Sequence, residues 1–190
     1  MDWLGLPRFD SPACLAALLG NAENGRWLIA PSDTDCRATR RYLGDTLILE
    51  TMFETATGAI CVVDFLSRRG GVSDVVRVVC GVSGSVAMRT ELIVCFDYGL
   101  AVPWVTQWDD GRLQMIAGRP DRLLLDTTVT LCGEDMRAVG EFEVEAGQEV
   151  GFVLTWTPSY KAEPEPLLAG RATGITASAG CAMRPLRCSR

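Results

Sequence analysis

Apolar residues along most of this chain fall in short runs or alternate with polar residues, which is the pattern of β-strands. Four pairs of such runs are joined by short turns rich in glycine, proline or small polar residues. They predict four hairpins: 46–55 with 59–67, 74–82 with 87–99, 111–119 with 121–131, and 136–147 with 149–159. Many short strands at this spacing are typical of an antiparallel β-sandwich.

The last of these pairs also predicts which side chains face the core. Glu141, Glu143 and Glu145 alternate with Phe142 and Val144. Because successive side chains of a strand point to opposite faces, we expect the glutamates to face water and the apolar residues to pack inward.

One segment near the start predicts a helix instead. In DSPACLAALLGN, Ser11 suits the N-cap, Pro12 the first helical position and Gly20 the end. The apolar part is only about two turns long, so this helix would depend on packing rather than on its own propensity.

The chain changes character after Trp156. YKAEPEPL predicts an extended exit, and the sequence that follows has no hydrophobic period. We therefore expect an all-β, antiparallel two-sheet sandwich of the supersandwich type over residues 1–168, with one short N-terminal helix. Residues 169–190 are expected to form an irregular, disordered tail.

Composition narrows the classes of function. The 190 residues are 48% hydrophobic, enough for a full core, and a net charge of −6 argues against nucleic-acid binding. The sequence has neither a signal-peptide pattern nor an apolar stretch of membrane-spanning length, so no membrane partner and a cytoplasmic location are expected. Eight cysteines without a CxxC pair favour reduced thiols over disulfides or zinc.

The residues needed for catalysis are largely missing. The chain has no histidine, which excludes Ser/His and Cys/His pairs, and it has no phosphate-binding or dinucleotide-binding glycine motif. The adjacent acids Asp109–Asp110 and Glu134–Asp135 lie in polar, turn-like contexts and are interpreted as solvated. No catalytic residue, metal site or cofactor is predicted.

Two stretches stand out, DWLGLPRFDSP and FDYGLAVPWVTQWDDG, because each combines an aspartate, aromatics and a proline outside regular structure. Either their aromatics are core residues at the ends of the sandwich, with Arg8 paired to a carboxylate, or they form a surface that docks a domain or contacts a sugar. The candidate residues for a substrate cleft or docking surface are Trp3, Arg8, Phe9, Asp10, Asp97, Tyr98, Pro103 and Trp104.

These stretches, together with GRWLIAP, RRYLGDTLILETMFET, VVDFL and FVLTWTPS, resemble the N-terminal β-sandwich domain of bacterial glycoside hydrolase family 15. That family contains glucoamylase-like and trehalase-like enzymes. The resemblance implies a non-catalytic domain that packs on a helical-barrel catalytic domain and shapes the cleft for an α-glucoside. The barrel supplies the two carboxylates of such a reaction, so this chain alone is expected to be inactive.

The resemblance also implies truncation at both ends. Family members carry an upstream strand pair and, after the TWTPS strand, a charged linker helix that leads into the barrel. The last residues of this sequence resemble nothing in that linker. An open sheet edge and self-association are therefore expected. Two other functions stay open: an independent carbohydrate-binding module using Trp3, Tyr98, Trp104 and Trp108, and a gene remnant without a function of its own.

Overall fold

The computed structural model describes residues 1–109, 111–117 and 120–167, and the regular secondary structure among them is mostly β-strand. Short strands dominate, with two 3₁₀ turns and one helical turn between them. In chain order the strands are β1 (Leu4–Gly5), β2 (Ala13–Leu15), β3 (Arg26–Pro31), β4 (Arg37–Tyr42), β5 (Leu49–Glu54), β6 (Gly58–Arg69), β7 (Val72–Ile93), β8 (Trp104–Gln107), β9 (Leu113–Ile116), β10 (Asp121–Thr127), β11 (Cys132–Glu134), β12 (Arg137–Glu145) and β13 (Glu149–Pro158).

The strands form two antiparallel layers that share β7. The larger layer has the order β4-β5-β6-β7-β13-β10-β9-β8, and the smaller consists of β3, β7, β12 and β11. A separate pair, β1 with β2, closes one end. The predicted all-β antiparallel sandwich is confirmed.

The strand β7 is a single run of 22 residues, so the hairpin predicted at SGS is wrong. Its first half pairs with β6 and β13 in the larger layer, and its second half pairs with β3 and β12 in the smaller one. The change of partners falls at Gly81–Ser85, where a turn was expected. Glycines at that point serve a strand that crosses between sheets, because they allow close backbone approach.

Gly81 shows how tight this crossing is. A methyl group on its Cα would overlap the backbone carbonyl of Glu145, the last residue of β12. We expect Gly81→Ala to lower the free energy of unfolding by about 1–3 kcal/mol, because backbone atoms cannot move aside cheaply. Denaturant unfolding would measure it, with Gly133→Ala as the control because a Cβ there meets open space. Equal stability of both variants would contradict this account.

The core lies between the two layers and centres on three aromatic rings. Trp27 of β3 is fully buried and meets Phe152 of β13 edge-on, with ring centroids 6.3 Å apart. Phe142 of β12 packs on the same Phe152 ring at 5.6 Å. Glu141 and its neighbouring glutamates face outward, as the alternation predicts.

Two of the other predicted hairpins are confirmed, as β5 with β6 and β9 with β10. The fourth is wrong in its pairing. Its two arms form as β12 and β13, but each pairs with β7 in a different layer instead of with the other. The edge strand β4, with all six residues exposed, is not among the strands that the sequence predicts.

The helix predicted from Ser11 to Gly20 does not form as such. Its first part is the strand β2, whose Leu15 pairs with Leu4, and only Ala17–Leu19 makes a 3₁₀ turn. Ser11 does not cap that turn, which begins after Ala16, whereas Gly20 ends it as predicted. Pairing with β1 outweighs a helical tendency spread over only about two turns.

The predicted disordered tail, 169–190, lies outside the described residues. No helix among the described residues is long and apolar enough to span a bilayer.

Candidate functional site

The two unusual stretches of the sequence meet at one end of the sandwich. Trp3 immediately precedes β1, and a hydrogen bond from the Leu18 amide to the Asp2 carbonyl (2.9 Å) holds this segment beside the 3₁₀ turn. The Cys95 amide donates to the Cys14 carbonyl at 3.1 Å, which joins the second stretch to β2. The rings of Trp3 and Tyr98 lie 6.0 Å apart and are tilted by 37°.

An unusual backbone conformation positions Tyr98. Asp97 and Tyr98 have φ values of 55° and 60°, inside a helical turn at Phe96–Gly99. Phe96, which is buried, and Ala101 exchange two backbone hydrogen bonds of 2.8 and 2.9 Å that close this turn. Two consecutive left-handed residues without glycine are uncommon, and the same conformation recurs at Asp135 and Met136, in the turn between β11 and β12.

Apolar side chains surround this aromatic pair and are open to solvent. The side chain of Asn24 lies against both Gly20 and Gly99, so close that a Cβ on either glycine would touch it. The 3₁₀ turn and the Phe96–Gly99 turn are therefore close neighbours. We call the exposed apolar surface on these two turns and on Trp3 the N-terminal face. It consists of Trp3, Leu18, Leu19, Tyr98 and Leu100, which are 38%, 70%, 69%, 45% and 83% exposed.

The loop between β1 and β2 carries three further candidates. Arg8 donates from Nε and Nη2 to the two carboxylate oxygens of Asp10, at 2.8 and 2.9 Å. This bidentate hydrogen bond lowers the pKa of Asp10, and both groups are well exposed. Phe9, between them, is 90% exposed. The interpretation of Phe9 as a core residue is therefore wrong, whereas Arg8 is paired with a carboxylate as expected.

The remaining candidates follow Tyr98 along the chain. Asp97 and Pro103 are half-buried, and Trp104 begins the edge strand β8 with 83% of its surface exposed. Trp108 lies one residue beyond β8, with the Arg112 guanidinium 4.6 Å above its ring. The interpretation as a core residue is therefore also wrong for Trp104, and Tyr98 is only partly buried.

A cluster of charges that the sequence did not indicate lies on the outer face of the smaller layer. The buried carboxylate of Glu91 accepts hydrogen bonds of 2.7 and 3.1 Å from Arg26 and lies within 4 Å of Arg89 and Arg137. Burial alone would raise the pKa of Glu91, but the Arg26 hydrogen bond and the three guanidinium charges lower it below its usual value. An acid held ionised in this way cannot donate a proton near neutral pH, so it serves as a structural ion pair.

The cysteines and acids offer little other chemistry. None of the six described cysteines is in a disulfide, and burial raises the pKa of Cys14 to about 12, which keeps it protonated and unreactive. The predicted reduced state of Cys181 and Cys188 falls outside the described residues. Asp135 has a φ of 44°, in keeping with the predicted turn. The described part of the chain holds no group of three or more potential metal ligands.

Comparison with known proteins assigns this architecture to a family. Residues 1–127 match the family model described as "Trehalase-like, N-terminal". The chain is similar to the trehalase of Mycobacterium tuberculosis, at 27% identity over 184 residues that cover 83% of this chain and 27% of that protein. It is also 30% identical over 109 residues to trehalase 1 of Sulfolobus acidocaldarius, covering 57% of this chain and 18% of the relative.

A shorter match gives higher identity. The trehalase of Mycolicibacterium smegmatis is 41% identical over 66 residues, which are 35% of this chain and 10% of that protein. The chain thus spans about a quarter or less of the length of these relatives. The family model covers about two thirds of the chain. All five residues of the N-terminal face, from Trp3 to Leu100, lie within the matched range. The chain belongs to the trehalase-like N-terminal domain family.

Proposed function

We propose that this chain acts as the non-catalytic N-terminal domain of a trehalase- or glucoamylase-like hydrolase of glycoside hydrolase family 15. Its N-terminal face packs on a helical-barrel catalytic domain, and the exposed loop of Arg8, Phe9 and Asp10 adds to the rim of the α-glucoside cleft. The observation that carries this proposal is the exposed, apolar N-terminal face, built from segments almost a hundred residues apart in the chain.

The shape of this face favours domain docking over sugar binding. Aromatic platforms for sugars present flat, coplanar rings, whereas Trp3 and Tyr98 are tilted by 37°. Leu18, Leu19 and Leu100 extend the face beyond the two rings. A large exposed apolar patch marks a protein interaction surface. An independent carbohydrate-binding module is therefore the weaker alternative.

Docking is tested by mixing partners. We expect the full chain, co-expressed with the M. tuberculosis trehalase lacking its matched N-terminal region, to co-elute with it and to support trehalose hydrolysis. Trp3→Ala combined with Tyr98→Ala should weaken that association at least about tenfold, since central aromatics dominate interface energies. Tyr42→Ala, an exposed aromatic on β4, is the matched control and should change nothing.

The two substitutions are tested both in the pair of separate chains and in a single fused chain. The same substitutions are placed in a chimera in which this chain replaces the N-terminal region of that trehalase, which covers the case of a catalytic region unstable on its own. A chimera that is active and equally stable with and without both rings would overturn the docking role.

The proposal includes inactivity of the chain by itself. Glycoside hydrolysis needs an acid and a second carboxylate held across a cleft, and the barrel of the whole enzyme supplies them. We expect the purified chain to release no glucose from trehalose, maltose or starch above the buffer rate. A cytoplasmic location is also proposed, because six described cysteines outside any disulfide suit a reducing compartment.

A further inference from the structure

The larger layer ends in two strands with different chemistry. On one side is β4, where Arg37, Arg40 and Arg41 place three like charges along the edge. On the other is β8, Trp104–Gln107, which is uncharged and exposed at all four residues. Charged residues protect an edge strand from pairing, whereas an uncharged, exposed edge is a template for another strand.

We propose that β8 pairs with β8 of a second copy of this chain, antiparallel, around a two-fold axis at Thr106. The contact joins two larger layers into one continuous sheet. This is a different surface from the N-terminal face.

Among the described residues, β8 pairs with β9 alone, which leaves backbone groups on its other side for this pairing. The Trp108 amide donates to the Arg112 carbonyl at 2.9 Å, so residue 108 is hydrogen-bonded across to β9. Residues alternate in an antiparallel ladder, so Thr106 and Trp104 also bond toward β9. Val105 and Gln107 consequently direct their N–H and C=O groups outward, away from β9.

These groups select the register. With Thr106 on the axis, Val105 of each copy lies opposite Gln107 of the other. Each of these two pairs exchanges two backbone hydrogen bonds, so four bonds join the two strands. An axis at Val105 would instead bring Gln107 against Pro103, which has no N–H to donate. An axis at Gln107 would draw the charged Asp109 of the following turn into the ladder.

The side chains fit the same register. Opposite Trp104 of one copy stands Trp108 of the other, and the two-fold axis repeats this pair at the second end. Both tryptophans fall on the same face of the strand as Thr106, by alternation. These positions are non-hydrogen-bonded pairs, in which side chains approach most closely and aromatic pairs stabilise a sheet. The strand is self-complementary, which is why the partner is a second copy.

Proline substitution tests the edge. Val105→Pro removes only an outward N–H, which an edge strand tolerates. By sedimentation of the full chain over a wide range of concentrations, we expect a monomer–dimer equilibrium that Val105→Pro weakens by about tenfold to a hundredfold, since each copy loses one hydrogen bond.

The matched control lies on the opposite edge. The Leu43 amide donates to the Ile48 carbonyl at 2.9 Å, so by the same alternation Arg40 directs its N–H away from β5. Arg40→Pro should therefore leave the dimer intact, and circular dichroism confirms that both variants fold.

Covalent trapping tests the register independently. Thr106 faces its own copy across the axis at the short Cα separation of a non-hydrogen-bonded pair, about 4.5 Å, which a disulfide can span. Thr106→Cys should give a covalent dimer under mild oxidation, beyond the background of the native cysteines. Val105→Cys, which meets Gln107 of the other copy, should not.

The results decide the proposal. A dimer lost in Val105→Pro, kept in Arg40→Pro and trapped by Thr106→Cys supports it. A parent chain that is monomeric at every concentration overturns it. A dimer that survives Val105→Pro, or that Thr106→Cys fails to trap, places the contact elsewhere and equally overturns it.

Discussion

Replacement of Trp27 by alanine is expected to lower the free energy of unfolding by about 3–5 kcal/mol. The indole is fully buried between the two layers, where it meets Phe152 edge-on and donates from Nε1 to Thr90 Oγ1 at 3.3 Å. Its removal leaves a cavity that β-strands on both sides cannot close, because their hydrogen-bonded ladders hold them apart. Thr90 keeps its hydrogen bond to the Leu28 carbonyl, so the loss is mainly one of packing.

Denaturant unfolding of the full chain would measure this change. Domains of this kind typically have only about 5–15 kcal/mol of stability, so the variant loses a large share of it. Tyr160→Ala is the matched control, since its ring is 77% exposed, and its effect should stay within about 0.5 kcal/mol. A Trp27→Ala variant as stable as that control would show that the layers do not depend on this ring.

Removal of the buried cation Arg77 is expected to have the next largest effect, a loss of about 3 kcal/mol in Arg77→Met. Its guanidinium donates to both carboxylate oxygens of Asp64, at 2.8 and 3.2 Å, and to the Trp27 carbonyl at 2.9 Å. It also lies 5.0 Å from the centre of the Trp27 ring. Without it, the Asp64 carboxylate, in a largely buried place, loses the guanidinium that both its oxygens contact.

A double-mutant cycle separates this charge effect from lost packing. Arg77→Met together with Asp64→Leu should recover most of the stability, because an apolar pair of similar volume leaves no charge unpaired. Arg8→Met, which breaks the exposed pair with Asp10, should leave unfolding unchanged within error. If the double variant were no more stable than Arg77→Met alone, the unpaired carboxylate would not be the cause.

The family resemblance was visible in the sequence because its motifs are local. DWLGLPRFDSP and FDYGLAVPWV are contiguous stretches, and both lie within residues 1–127, which match the family model. What these stretches do could not be judged from residue types alone. Trp3 and Tyr98 are 95 positions apart, and their contact depends on β1 pairing with β2 and on the hydrogen bond from Cys95 to Cys14.

The cluster around Glu91 gave no signal for a related reason. Arg26, Arg89 and Arg137 come from three different strands, and only the pairing of β3 and β12 with β7 brings them to one carboxylate. A search for facing charges would need the strand order, which the sequence did not provide.

The sequence by itself determined where most strands lie and which way their side chains point. Alternation along residues 141–145 predicted the exposed glutamates, and the short turns at 56–58 and after Ala117 predicted two hairpins. These features depend on neighbouring residues: the side-chain period of a strand and the backbone preferences of a turn act over a few positions.

Only the tertiary structure decided which strands pair. The sequence at Gly81–Ser85 suits a turn, yet β7 continues through it because β6, β12, β13 and β3 offer partners on both sides. In the same way, Ala13–Leu15 is a strand because Leu4 pairs with Leu15. Backbone hydrogen bonds to distant residues compete with local preferences that differ by only about 1 kcal/mol per residue, and the pairing that buries the most apolar surface prevails.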